Sequence, residues 1–184
     1  QGSKTEVVTQ AKELVNQGYK AIKLKVGGKV SEDVDKVLAV NAVIFERAIL
    51  HVDANQSWNI EEATEFANAI GPAAVDYIEE PFTDIDKIEE FFDATLIPVA
   101  LDETVAKLPF EKIKSISGVD VVVLKPTVIG GIEKTWQIMQ QATNQAILPI
   151  ISSSYESSIG ILTLANLSGG LSRDNDAGLD TVRY

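Results

Sequence analysis

The chain has 184 residues, enough for one domain with a substantial core, and its 45% hydrophobic and 23% charged content is that of a globular protein. The absence of cysteine excludes disulfides and thiolate metal sites, so any metal must use oxygen ligands or the single histidine, His51. A net charge of -11 argues against nucleic-acid partners, and no apolar stretch reaches the ~20 residues of a membrane span.

In chain order, short runs rich in Val, Ile and Leu alternate with longer segments of helical period. Thr5–Gln17 reads as a helix stopped by Gly18, and Ala21–Val26 as a strand. Ser31 is placed to cap a helix running to about Arg47, followed by a strand at Ala48–Val52. A helix at Ile60–Ile70 is broken by Gly71-Pro72, and a strand at Val75–Ile78 leads into Glu79-Glu80-Pro81. A helix over Asp84–Asp93 precedes a strand at Ile97–Leu101, and one over Pro109–Ser115 precedes a strand at Val119–Leu124. Gly130-Gly131 opens a helix at Ile132–Ala142; the strand Ala146–Ile151 runs into Ser152-Ser153-Ser154; the helix Ser158–Leu167 follows. Gly178–Tyr184 offers a last, seventh strand. Strict alternation implies a parallel α/β sheet, and the short, even spacing favours a closed barrel over an open sheet. No linker divides the chain, so 1–184 is expected to be a single catalytic barrel domain, with 182 to 184 at its end.

The polar residues at the strand ends carry the chemistry. Lys23-Leu24-Lys25, Asp53-Ala54-Asn55, Glu79-Glu80-Pro81, Asp102-Glu103 and Lys125-Pro126 each follow an apolar run, as residues at the mouth of a barrel do. Asp53, Glu79 and Asp102 are 26 and 23 residues apart, one βα unit per step. Three converging carboxylates repel one another unless a cation joins them, and all-oxygen ligation favours Mg²⁺, with Mn²⁺ the alternative. Lys23 and Lys25 share a strand face, and Lys125 lies one unit beyond Asp102, so a substrate on the metal would meet ammonium groups from two sides. His51 lies two residues deeper than Asp53 and is read as a hydrogen-bonded core histidine. Gly27-Gly28 is read as a turn rather than a phosphate cradle, and Trp58 and Trp136 as packing residues within helices.

In order and spacing these motifs resemble the enolase superfamily, in its muconate-cycloisomerase-like branch, from Ala21 to about Tyr184. Ile150–Ser158 and Gly178-Leu179-Asp180-Thr181 look like the o-succinylbenzoate synthases of that branch. The Asp-x-Asp motif of its dipeptide epimerases is missing from the serine-rich strand end; Asp174-Asn175-Asp176 spells it, but in a polar loop.

The resemblance implies a TIM-type (β/α)₇β barrel, incomplete here. Roughly strands two to eight are present, and the first strand and the N-terminal capping domain are absent. It implies Lys25 and Lys125 as the catalytic pair and Asp53, Glu79 and Asp102 as Mg²⁺ ligands, with Glu80 behind them. Lys23, Asn55, Ser152, Ser153 and Ser154 are the expected substrate-binding residues. The implied reaction is dehydration of a succinyl-hydroxycyclohexadiene carboxylate through an enediolate, in menaquinone biosynthesis. N-succinylamino-acid racemisation is the alternative within the superfamily, and an inactive fragment or scaffold the alternative outside it. A small-molecule carboxylate is the expected partner. Gln1-Gly2-Ser3-Lys4 shows no signal-peptide pattern, which leaves a cytoplasmic location as the expectation.

Overall fold

The structure is a computed structural model that describes residues 2 to 170 and 176 to 181. It divides into two compact units, Gln1–Val99 with Ile116–Gly118, and Ala100–Ser115 with Val119–Tyr184.

The first unit opens with α1 (Lys4–Asn16), started by a capping box in which Ser3 accepts from the Glu6 N–H and the Glu6 carboxylate accepts from the Ser3 N–H. Val7, Ala11 and Val15, spaced at one helical turn, form its buried stripe. In β1 (Ala21–Lys25), Ile22 and Leu24 are buried, and the two lysines occupy the opposite face. α2 (Val30–Ile44) begins one residue before Ser31, which therefore does not cap it. Its neighbour Asp33 instead turns back, and the N–H groups of Gly27 and Gly28 donate to its carboxylate at 3.0 and 2.7 Å. Gly27-Gly28 is thus a turn closed from within. At Gly27 (φ +103°) a Cβ would stand 2.8 Å from the Ala54 carbonyl oxygen, so only glycine fits.

β2 (Ile49–Asp53) runs parallel to β1 with Lys23 opposite His51 and Lys25 opposite Asp53. α3 (Ile60–Ile70) has the predicted bounds, set by an Asn59–Glu62 capping box and by Gly71. β3 (Ile78–Glu79) is parallel to β2 with Glu79 opposite Asp53. The expected helix over Asp84–Asp93 is a 3₁₀ turn, Ile85–Lys87, running into α4 (Ile88–Thr95). Trp58 precedes α3 rather than lying in a helix; it is buried, and its indole N–H donates to the Gly28 carbonyl at 3.2 Å.

The chain passes to the second unit within β4 (Val99–Leu101). There α5 (Glu103–Lys107) and α6 (Phe110–Ile113) precede β5 (Val119–Leu124), which has the expected bounds. α7 (Pro126–Ile129) is a single turn started by proline, and α8 (Ile132–Asn144) follows a left-handed Gly130. β6 (Leu148–Ile151) pairs parallel with β5, Leu124 opposite Ile151, and α9 (Ser158–Gly169) follows. Trp136 does lie in a helix, α8, but is 41% exposed and so is not a core packing residue. Of the expected strand at Gly178–Tyr184, the described residues show one parallel bridge, Ser152 to Gly178; residues 182 to 184 lie outside them, as do Asp174 and Asn175 of the acidic loop.

Candidate active site

In the first unit, parallel registration brings Lys23, Lys25, Asp53 and Glu79 onto neighbouring strand ends. Asp53 is 1% exposed and Glu79 is fully buried, so both carboxylates need counter-charge. Lys23 supplies it to both. Its Nζ lies 3.3 Å from Asp53 Oδ2 and 2.7 and 2.6 Å from the two Glu79 oxygens. Lys25 Nζ reaches Asp53 Oδ2 at 2.8 Å and Asn55 Oδ1 at 2.5 Å. The Asn55 backbone N–H donates to Asp53 Oδ1 at 3.1 Å, so Asp53 is gripped through both oxygens. Burial pushes the Asp53 carboxyl upward, but the Lys23 charge and then the Lys25 hydrogen bond hold it below the ordinary range. Burial likewise pulls Lys23 down, and the charges of Glu79 and then Asp53 outweigh it, holding the ammonium above the usual lysine value. Lys23 is therefore firmly cationic here.

His51, 6% exposed, is the core histidine the sequence suggested. Its Nδ1 is 3.0 Å from the Tyr77 hydroxyl, the two rings stack at 4.2 Å, and Nε2 is 3.5 Å from Asp76. The strand period places Tyr77 two residues before Glu79, beside His51 in the β2–β3 register, a signal legible once the register is known. Glu80 is also buried, and it receives the Gln56 side-chain amide at 2.6 Å. Gln56 carries no sequence signal of this role, because it sits in a polar loop without periodicity.

In the second unit, Lys125 at the end of β5 forms an ion pair with Asp102 at the end of β4. Ser152 and Ser153 are buried, and both hydroxyls donate to the Gly178 carbonyl at 3.2 Å; Ser153 also meets the Thr181 hydroxyl at 2.7 Å. The backbone N–H groups of Ser152, Ser153 and Ser154 go to the Leu124 and Gly178 carbonyls and to Glu156. An anion at this turn would have to displace the Glu156 carboxylate, which lies 2.5 Å from the Ser154 nitrogen and accepts from Thr127 at 2.9 Å. No local pattern marks Glu156 for that position.

Among the described residues, no three His, Asp or Glu side chains form a ready-made metal-holding group. Lysine ammonium groups hold the carboxylates instead. The donor set nevertheless fits a hard divalent cation. The Lys23 ammonium already stands as a cation between Asp53 and Glu79, and every donor there is a buried carboxylate oxygen.

Residues 6 to 179 match the enolase C-terminal domain-like family. The chain belongs to that family. It is 35% identical over 182 residues to Protein PHYLLO, chloroplastic, of Arabidopsis thaliana, covering 95% of this chain and 11% of that protein. It is 33% identical over 186 residues to the o-succinylbenzoate synthase of Aliivibrio fischeri, covering 98% of this chain and 56% of the synthase. Among solved structures, the N-succinyl Arg/Lys racemase of Bacillus cereus superposes with a TM-score of 0.86 at 25% identity, covering 97% of this chain and 50% of that one. The chain spans about half the length of the curated synthases it matches. Its fold class is α/β of the TIM-barrel type, with six strands among the described residues where a complete barrel has eight. No helix among the described residues is long and apolar enough to cross a membrane.

Proposed function

We propose that this chain is the catalytic barrel part of a dehydratase that converts a succinyl-hydroxycyclohexadiene carboxylate to o-succinylbenzoate. The observation that carries the reading is the meeting of Lys25, Asp53 and Glu79 on one set of strand ends, in a chain 33% identical to an o-succinylbenzoate synthase. Asp102 and Lys125 belong to the other unit, and family membership, not a measured distance, joins them to this site in the proposal.

Asp53, Glu79 and Asp102 would hold Mg²⁺, or Mn²⁺ in its place. When bound, the cation supplies positive charge to the substrate carboxylate oxygens as the neighbouring C–H bond breaks. Lys25, as the free amine, takes that proton. The ammonium so formed then protonates the departing hydroxyl, so one water leaves, the ring becomes aromatic and the amine is restored. Lys125 remains an ammonium and offsets the growing negative charge. Lys23 supplies counter-charge to Asp53 and Glu79, and with Asn55 would contact the substrate. Of the three serines, Ser154 is the one whose backbone N–H could be released to the succinyl carboxylate, by movement of Glu156.

The test is an assay on the dehydration substrate and on N-succinylamino acids, each with Mg²⁺ and after chelation. Metal-dependent formation of the aromatic acid supports the proposal. Racemisation without dehydration would replace it with the second reading, N-succinylamino-acid racemisation. Dehydration that survives full chelation would remove the metal from the reading.

A further inference from the structure

Among the described residues, seven other than glycine have a left-handed backbone: Glu46, Asn55, Gln56, Glu80, Leu96, Ala146 and Tyr155. Three of them have an ordinary cause. Glu46, Leu96 and Ala146 follow the ends of α2, α4 and α8, where a left-handed residue commonly closes a helix. Three others, Asn55 (φ 46°), Gln56 (φ 59°) and Glu80 (φ 42°), cluster just past β2 and β3 and close no helix. Such a conformation persists only where surrounding contacts enforce it.

The contacts here form one ladder. The N–H of Ala54 donates to the Glu79 carbonyl at 3.0 Å, that of Gln56 to the Glu80 carbonyl at 2.7 Å, and that of Trp58 to the Pro81 carbonyl at 3.3 Å. Gln56 is locked to Glu80 a second time, side chain to side chain, at 2.6 Å. Glu80 is 1% exposed, so its carboxylate must be satisfied by polar neighbours, and the Gln56 amide is one of them. The residue caught between this double bond and the end of β2 is Asn55. Its Oδ1 accepts from Lys25 at 2.5 Å, and its N–H fixes Asp53 Oδ1 at 3.1 Å. Strain in the loop therefore ends at the amine of Lys25.

We propose that Glu80 and Gln56 are a positioning pair that holds the Asn55 turn and thereby sets where the Lys25 amine stands. The pair acts through Asn55, not on the substrate. As a statement about catalysis it rests on the reading of Lys25 as the proton-transfer group; as a statement about the Lys25 amine it stands on the geometry alone.

The experiment therefore has two readouts in the intact protein. One is the rate at which a water-soluble acylating reagent labels Lys25 at fixed pH, measured by peptide mass spectrometry against Lys12, exposed on α1. The other is kcat and KM for dehydration. Three variants are compared: Glu80→Ala, Glu80→Gln and Gln56→Gly. Glycine tolerates the left-handed backbone, so Gln56→Gly removes the side-chain bond without adding strain and remains informative if Glu80→Ala fails to fold. In Gln56→Gly and Glu80→Ala, Lys25 labelling should change at least about threefold with Lys12 unchanged. Displacement of a reacting group by ~1 Å can cost about 10²-fold, so a partial shift should lower kcat about tenfold with KM nearly constant. Glu80→Gln should restore most of both, because its amide oxygen can accept the same N–H. Lys25 labelling at the wild-type rate in folded Gln56→Gly would overturn the proposal. So would labelling of Lys25 and Lys12 rising together, which marks general loosening. A wild-type protein that fails to turn over while Lys25 labelling still responds to Gln56→Gly would sink the dehydratase reading and leave the positioning pair standing.

Discussion

The strand ends of the first unit and those of the second solve the same problem differently. Asp53 and Glu79 are held by two lysines from one strand, with an asparagine and a backbone N–H completing the grip. Asp102 is held in an ion pair with Lys125, at the start of a short helix. The first arrangement is a network in which Lys23, Lys25, Asp53 and Asn55 each touch two or more others, whereas the serine-rich turn of the second spends its polar groups on closing against Gly178. Buried carboxylates with several charged partners are costly to disturb one at a time, because each removal leaves the others unpaired. The chemistry should therefore be more sensitive to substitution in the first unit, and the second should tolerate change that preserves its charge.

Lys25→Ala against Lys125→Arg gives the largest contrast. General acid–base groups contribute about 10²–10⁴-fold, and Lys25 would be used twice per turnover, so its loss should reach or exceed the upper end while Mg²⁺ affinity, read by calorimetry, is kept. Arginine keeps charge but is no base at neutral pH, so Lys125→Arg should retain measurable dehydration if that lysine acts by charge. Wild-type dehydration in Lys25→Ala would break the comparison outright.

Lys23→Ala gives an intermediate effect, on stability. It removes the ammonium shared by Asp53 and Glu79. Breaking a fully buried pair costs about 3–5 kcal/mol, but the Lys23 side chain is 36% exposed, so about 1–2 kcal/mol is expected in metal-free protein. Saturating Mg²⁺ should offset much of this, since a ligand at ~100 times its Kd contributes about 2.7 kcal/mol. Denaturant midpoints with and without Mg²⁺ read both. No loss in Lys23→Ala would mean that the two carboxylates do not depend on it.

The smallest effect is a pH dependence beside the first cluster. The His51 imidazole, whose Nε2 lies 3.5 Å away, holds the Asp76 carboxyl below its usual value of 3.8. A folded-state value below the unfolded one contributes stability that is complete above about pH 3.8 and fades as the pH falls through the folded value. Thermal melts of wild type and Asp76→Asn should therefore differ at pH 6 and converge in acid. A difference that grows on acidification would reverse the sign and refute the interaction.

Local pattern alone determined the α/β alternation, the bounds of α3 and β5, and the polar residues at the strand ends. Ile60–Ile70 carries its own start and stop in Asn59, Glu62 and Gly71, and Val119–Leu124 is a continuous apolar run, so neither needed distant partners to be read. The one-turn helices α5 and α7 are too short to carry a detectable period, and Trp58 lies outside a helix because Asn59 caps the one that follows. The fates of the polar groups were decided only in three dimensions. Period two puts Lys23 and Lys25 on one face, but it is the β1–β2–β3 register that gives Lys23 to Asp53 and Glu79, and Lys25 to Asp53 and Asn55. Asp33, in the first turn of α2, lies buried and accepts from two glycine N–H groups. A buried charge takes whichever partner lies within about 3 Å, and that distance is set by strand register and loop path, neither of which a one-dimensional pattern contains.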